Sequence, residues 1–151
     1  VSMGQRIHLI ALLIFMLTRR ILLHKIKIMG LDQYAKVVKR EYNNETLTET
    51  ITKTEICYWR KHNALHGWME NLYESKGGDG EFNCVNLNLT SEDLKELEED
   101  VVDKDLPETK GFFFGEDTRE CDHQKLQTLK FLSKAKKALN QGHEVEYSAW
   151  W

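Results

Sequence analysis

Residues 47–56, LTETITKTEI, alternate two sets of side chains without a break. Leu47, Glu49, Ile51, Lys53 and Glu55 fall on one side, and Thr48, Thr50, Thr52, Thr54 and Ile56 on the other. A period of two belongs to a β-strand, and the threonine content suits an exposed one. The preceding stretch LDQYAKVVKREY, 31–42, is rich in Tyr and Val with partial alternation, so it reads as a second strand. NNET at 43–46 supplies turn residues between them. An antiparallel hairpin of 31–42 with 47–57 is expected. A lone hairpin is marginal in water, so the remaining chain must cover one of its faces.

The later segments provide that cover. Residues 58–74 place Tyr58, Leu65, Trp68, Met69 and Leu72 near one helical stripe, and the glycines of KGGDG, 76–80, end the run. EFNCVNLNL, 81–89, reads as a short strand with a bulge where its alternation shifts phase. TSEDLKELEEDV has a capping Thr90 or Ser91, Glu92 and Asp93 in the first turn, and Leu94, Leu97 and Val101 on a buried face. DTRE, 117–120, has capping-box form ahead of a long helix to about Asn140, lined by Leu126, Leu129, Leu132, Ala135 and Leu139 and terminated by Gly142. HEVEYSAWW alternates as a last strand, with 143–149 expected in the hairpin's sheet. The order ββαβααβ predicts an α+β fold: a mostly antiparallel sheet with about three helices packed on one face.

The first 28 residues read unlike the rest. They hold Arg6, Arg19, Arg20, Lys25 and Lys27 and no acid. The apolar run from Ile7 to Leu17 is short of the roughly 20 residues of a spanning helix. Three readings fit: translated upstream sequence with the natural start at Met29, a membrane anchor or interfacial helix, and an N-terminal helix of the domain. The composition change at MGLDQYAKV favours the first, leaving a single domain over 29–151. A membrane enters only if residues 1–28 are genuine. From Met29 onward, 16 basic residues face 24 acidic ones, which argues against duplex nucleic acid as the partner. Three cysteines at wide spacings form no disulfide framework and fit a reducing cytosol.

The richest stretch is YWRKHNALHGWMENLY, 58–73. On a helix, Trp59, Asn63 and His66 share a stripe, with Arg60 one turn before Asn63. An Arg fork, an Asn amide and an imidazole at that spacing can grip a carboxylate or phosphate. The plainer reading makes Trp59 and Trp68 core anchors and Arg60 and His66 structural. His62 and His66 stand at i, i+4, and Cys121 and His123 form another pair. No CxxC or HExxH accompanies them, so no metal is expected. No cofactor is implied either, since GxxxxGK[ST] and GxGxxG are absent. GFFFG, 111–115, is an aromatic platform or a plug of the core.

Four stretches together resemble a family of small bacteriophage proteins: MGLDQY (29–34), YWRKHNALHGW (58–68), GFFFG (111–115) and YSAWW (147–151). The family pattern carries over to Tyr58, Trp59, Arg60, Lys61, Asn63, His66 and Trp68. His62 stands where the family usually has alanine, so a His62/His66 metal pair is not implied. The resemblance implies an accessory phage protein in the host cytoplasm, binding a small anionic ligand or a host protein. The expected site is Arg60, Asn63 and His66, walled by Trp59, Phe113 and Phe114. The alternative is a small enzyme on a phosphorylated or nucleotide-like substrate, with His66 as acid/base and Arg60 as anion clamp. A phosphoglycerate kinase label is sometimes attached to the family. This chain is too short for a two-domain kinase and lacks its glycine-rich nucleotide loops.

Overall fold

The computed structural model describes residues 30–111, 115 and 121–151. The hairpin opens the described chain. Strand β1 (Asp32–Asn43) pairs antiparallel with β2 (Thr48–Arg60). The Asn43 side-chain oxygen accepts the backbone N–H groups of Glu45 and Thr46 at 2.9 and 3.1 Å, a local bond that nucleates the turn. Helix α1 (Asn63–Ser75), strand β3 (Leu87–Leu89), helices α2 (Ser91–Asp103) and α3 (Asp122–Asn140) and strand β4 (Glu144–Trp150) follow. The sheet order is β2-β1-β4-β3 with every pair antiparallel, so the expected α+β class and the ββαβααβ order hold.

One face of the sheet is the core floor. Alternation in β1 and β4 turns Ala35, Val37, Val145, Tyr147 and Ala149 inward with Trp59 of β2, and all are buried. Leu65 and Met69 of α1 join the same core, as do Leu94, Leu97 and Val101 of α2. From α3 come Phe131, Leu132, Ala135 and Ala138. Helix α2 starts as its sequence predicts. Thr90 and Asp93 form a reciprocal capping box, which satisfies two N–H groups that would otherwise be orphaned. The end of α3 is a Schellman turn at Gly142, φ 79°, with His143 N–H bonded to Ala138 O and Gly142 N–H to Leu139 O.

Two boundaries and one buried face differ from expectation. The helix expected over 58–74 begins only at Asn63, because Tyr58, Trp59 and Arg60 find strand partners in Tyr34, Gln33 and Asp32. Lys61 then breaks the strand with φ 67° while its N–H bonds to Leu31 O at 2.9 Å. The strand expected over 81–89 shrinks to Leu87–Leu89: Cys84 adopts φ 60° and breaks the extended run, while its N–H still bonds Ala149 O of the last strand at 2.8 Å. In α3 the buried face is rotated. Leu126 is 52% exposed, and Phe131 packs edge-on to Trp59 at 5.1 Å instead. The predicted DTRE cap lies outside the described residues. The helix starts at Asp122, where Gln124 accepts the backbone N–H of Cys121. All three cysteines are free, and burial pushes the Cys57 thiol up to about 11.

Candidate functional site

The strand-to-helix junction at 58–66 distributes its side chains by two different periods. Within β2, alternation sends Trp59 inward and Tyr58 and Arg60 to the opposite face. Trp59 is 1% exposed and packs between Phe131 and Tyr147, with centroids at 5.1 and 6.4 Å. Arg60, with 59% of its side chain exposed, donates through Nη1 to both carboxylate oxygens of Asp32, at 2.9 and 3.2 Å. Tyr58 donates to the same carboxylate, which holds the phenol above its ordinary pKa. Arg60 therefore shares no stripe with Asn63 or His66, and the expected Arg60–Asn63–His66 grip is not assembled.

Asn63 and His66 do come together in the first turns of α1, behind the sheet. Asn63 is buried. Its amide Nδ2 reaches Gly115 O at 3.5 Å, and its Oδ1 has no hydrogen-bond partner among the described residues. His66 is fully buried. It stacks on Phe82, rings 5.6 Å apart and 9° from parallel, and its Nδ1 lies 3.3 Å from the Tyr147 hydroxyl. Burial lowers its pKa to about 4, so at neutral pH the imidazole carries no charge for an anion. The Tyr147 hydroxyl also accepts from Gln33 Nε2 at 2.8 Å, and Gln33 binds the His62 backbone at both its N–H and C=O. This is an interior polar chain linking β1, β4 and the head of α1. Burial, with a smaller push from the Glu70 carboxylate, holds the Tyr147 phenol well above its usual range.

His62 caps α1: its Nδ1 accepts the Leu65 N–H at 3.4 Å, which explains a histidine at this position without a metal. Among the described residues no three His, Cys, Asp or Glu side chains gather as a metal set. Phe113 and Phe114 lie outside the described residues. The ends of their segment are anchored, however. Gly111 and Gly115 pair as an isolated bridge, Asn63 holds Gly115, and Thr109 packs so tightly on Gly67 that a Cβ there would stand 1.8 Å from its hydroxyl.

What the sequence reading did not single out is the outer sheet face. In register across β2, β1 and β4 stand Arg60, Asp32 and Trp150 in one row, and Tyr58, Tyr34 and Ser148 in the next. Trp150 is 61% exposed and Tyr58 37%. The Tyr34 and Tyr58 rings lie 5.2 Å apart, and Lys36 sits over the Tyr34 ring at 5.7 Å. Asp32 could have been paired with Arg60 only once the register was known. Gln33 had a signal: it shares parity with Ala35 and Val37, a polar side chain on an apolar face.

No family model, no curated protein and no solved structure matches the chain. Among the described residues no helix is long and apolar enough to cross a membrane.

Proposed function

We propose that this is a bacteriophage accessory protein that acts in the host cytoplasm by docking a host protein through the outer sheet face around Arg60. The observation that carries the reading is the row Arg60–Asp32–Trp150 beside Tyr58 and Tyr34, in which Arg60, Trp150 and Tyr58 are exposed. Flat patches of Trp, Tyr and Arg are the composition of interface hot spots. Asp32 orients the guanidinium without covering it, so the patch is arranged before a partner arrives.

The small anionic ligand is a second reading, favoured by Asn63 and Lys61. The Lys61 amine lies 3.5 Å from where a Gly115 Cβ would be, beside the loop residue whose carbonyl accepts from the Asn63 amide. The enzymatic alternative has less support. General acid–base work by His66 needs contact with substrate and a pKa near the working pH, and His66 is fully buried with a pKa near 4.

The test is capture from infected or expressing host cells followed by native mass spectrometry. The wild type is expected to retain one stoichiometric host protein. Arg60→Gln/Trp150→Ala is expected to lose it while remaining folded, because both side chains are exposed and no second carboxylate is set against Asp32. A wild type that emerges alone, or a double variant that keeps the partner, overturns the reading. A retained small anion would support the second one.

A further inference from the structure

A cleft of about 250 Å³ lies on the opposite side of the hairpin from the docking row, where β1 and β2 run past the C-terminal end of α3. Its apolar lining comes from Val37, Ile56 and Ala138. Ile56 is the extra residue of a β-bulge: Ala35 pairs with Cys57 and Lys36 with Glu55, leaving Ile56 without a partner in the ladder. Three lysines line the same cleft: Lys39, Lys134 and Lys137. Lys134 is fixed there by a bond to Ile56 O at 3.1 Å. Lys39 and Lys137 form no ion pair among the described residues, although Arg40, Lys53, Lys76 and Lys136 all do. No carboxylate lines the cleft. In a chain with more acids than bases, a trio of lysines without an acid over an apolar floor is not the random surface. Lysines near a helix C-terminus also offset its dipole, which accounts for Lys137. It does not account for Lys39, which comes from the sheet, nor for the apolar floor.

The geometry points to a binding site for a small amphipathic carboxylate, its aliphatic or aromatic body on Val37, Ile56 and Ala138 and its carboxylate among the lysines. The volume is slightly below the roughly 300 Å³ where drug-sized pockets begin, which fits a ligand of modest length. The apolar floor selects against inorganic phosphate, and the lysine rim selects against neutral alcohols of the same length. This site is separate from the docking face, so either can fail alone.

The experiment titrates the full chain with octanoate, octan-1-ol and inorganic phosphate by calorimetry, with amide shifts in the NMR spectrum locating the site. Octanoate is expected to saturate and to bind at least about tenfold more tightly than the other two. Its shifts should fall on Val37, Thr54 and Ala138. Lys39→Gln/Lys137→Gln is expected to weaken octanoate about tenfold or more without moving the melting temperature, since both amines are exposed. Should that variant misfold, Thr54→Glu puts an acid in the cleft wall and is expected to give the same loss. The proposal is overturned if octanoate fails to saturate at millimolar concentration, if phosphate or octanol matches it, if the shifts lie elsewhere, or if a folded variant binds as the wild type does.

Discussion

His66 has no exposed surface, and burial lowers its pKa from the ordinary histidine value to about 4. The sign follows directly. Between about pH 6.5 and 4 the unfolded chain binds a proton that the folded chain refuses, so stability falls as pH drops through that window and is unaffected above it. Comparing denaturant unfolding of the wild type and His66→Gln at pH 7 and pH 4.5 isolates this group. The wild type is expected to lose about 2 kcal/mol more than the variant on acidification. Parallel losses would mean that the imidazole titrates as if exposed. Arg60 shows the converse case at the same scale. It looked like the charged centre of a helical grip, yet strand alternation put it on the outer face against Asp32, while uncharged Asn63 and His66 went inward.

Helix α1 is fixed at both levels by contacts its own pattern does not encode. Its first turns are held by the Gln33–Tyr147–His66 chain, and its middle by the fit of Gly67 against Thr109. An alanine at Gly67 would gain about 1 kcal/mol of helix propensity in isolation. Here the new Cβ meets the Thr109 hydroxyl at 1.8 Å and its Cβ at 2.9 Å, so the loop after α2 must move. Gly67→Ala is therefore expected to destabilise by about 1–3 kcal/mol in chemical denaturation and to raise hydrogen exchange around Thr109. Adding Thr109→Gly is expected to return most of the loss. A neutral single variant, or no rescue, would show that the loop does not rest on the helix. In α2 and α3, by contrast, the ends are local: the Thr90/Asp93 box and the Gly142 turn use residues within a few positions of each other.

At the scale of the molecule, the core draws on every strand and helix among the described residues of the compact unit Leu31–Trp151. One shared interior predicts one cooperative transition. Residues 29–151 expressed alone are expected to melt in a single sharp step with near-ultraviolet circular dichroism from packed Trp59 and Tyr147. A broad transition without that signal would show that the fold needs more of the chain. The sheet's edges are blunted in two ways: β3 has three residues, and the outer half of the long edge strand β2, Thr48–Glu55, is Thr, Lys and Glu at every position but Ile51. The outer face in between is where aromatic surface is left exposed, and the proposed docking row lies there.

Local periodicity was enough to read the hairpin, its turn, the capped start of α2 and the stop of α3 at Gly142. Those features rest on short-range sterics and hydrogen bonds between near neighbours. The class and element order followed, because alternating and helical faces leave few ways to bury one another. Where β2 ended was settled by tertiary structure. Tyr58, Trp59 and Arg60 suit a strand or a helix, and the partner residues in β1 decided for the strand. That single choice rotated Arg60 away from Asn63 and His66 and dissolved the expected site. The lysine cleft and the Arg60–Asp32–Trp150 row join residues from distant parts of the chain, so they exist only once register and packing bring β1, β2, β4 and α3 together.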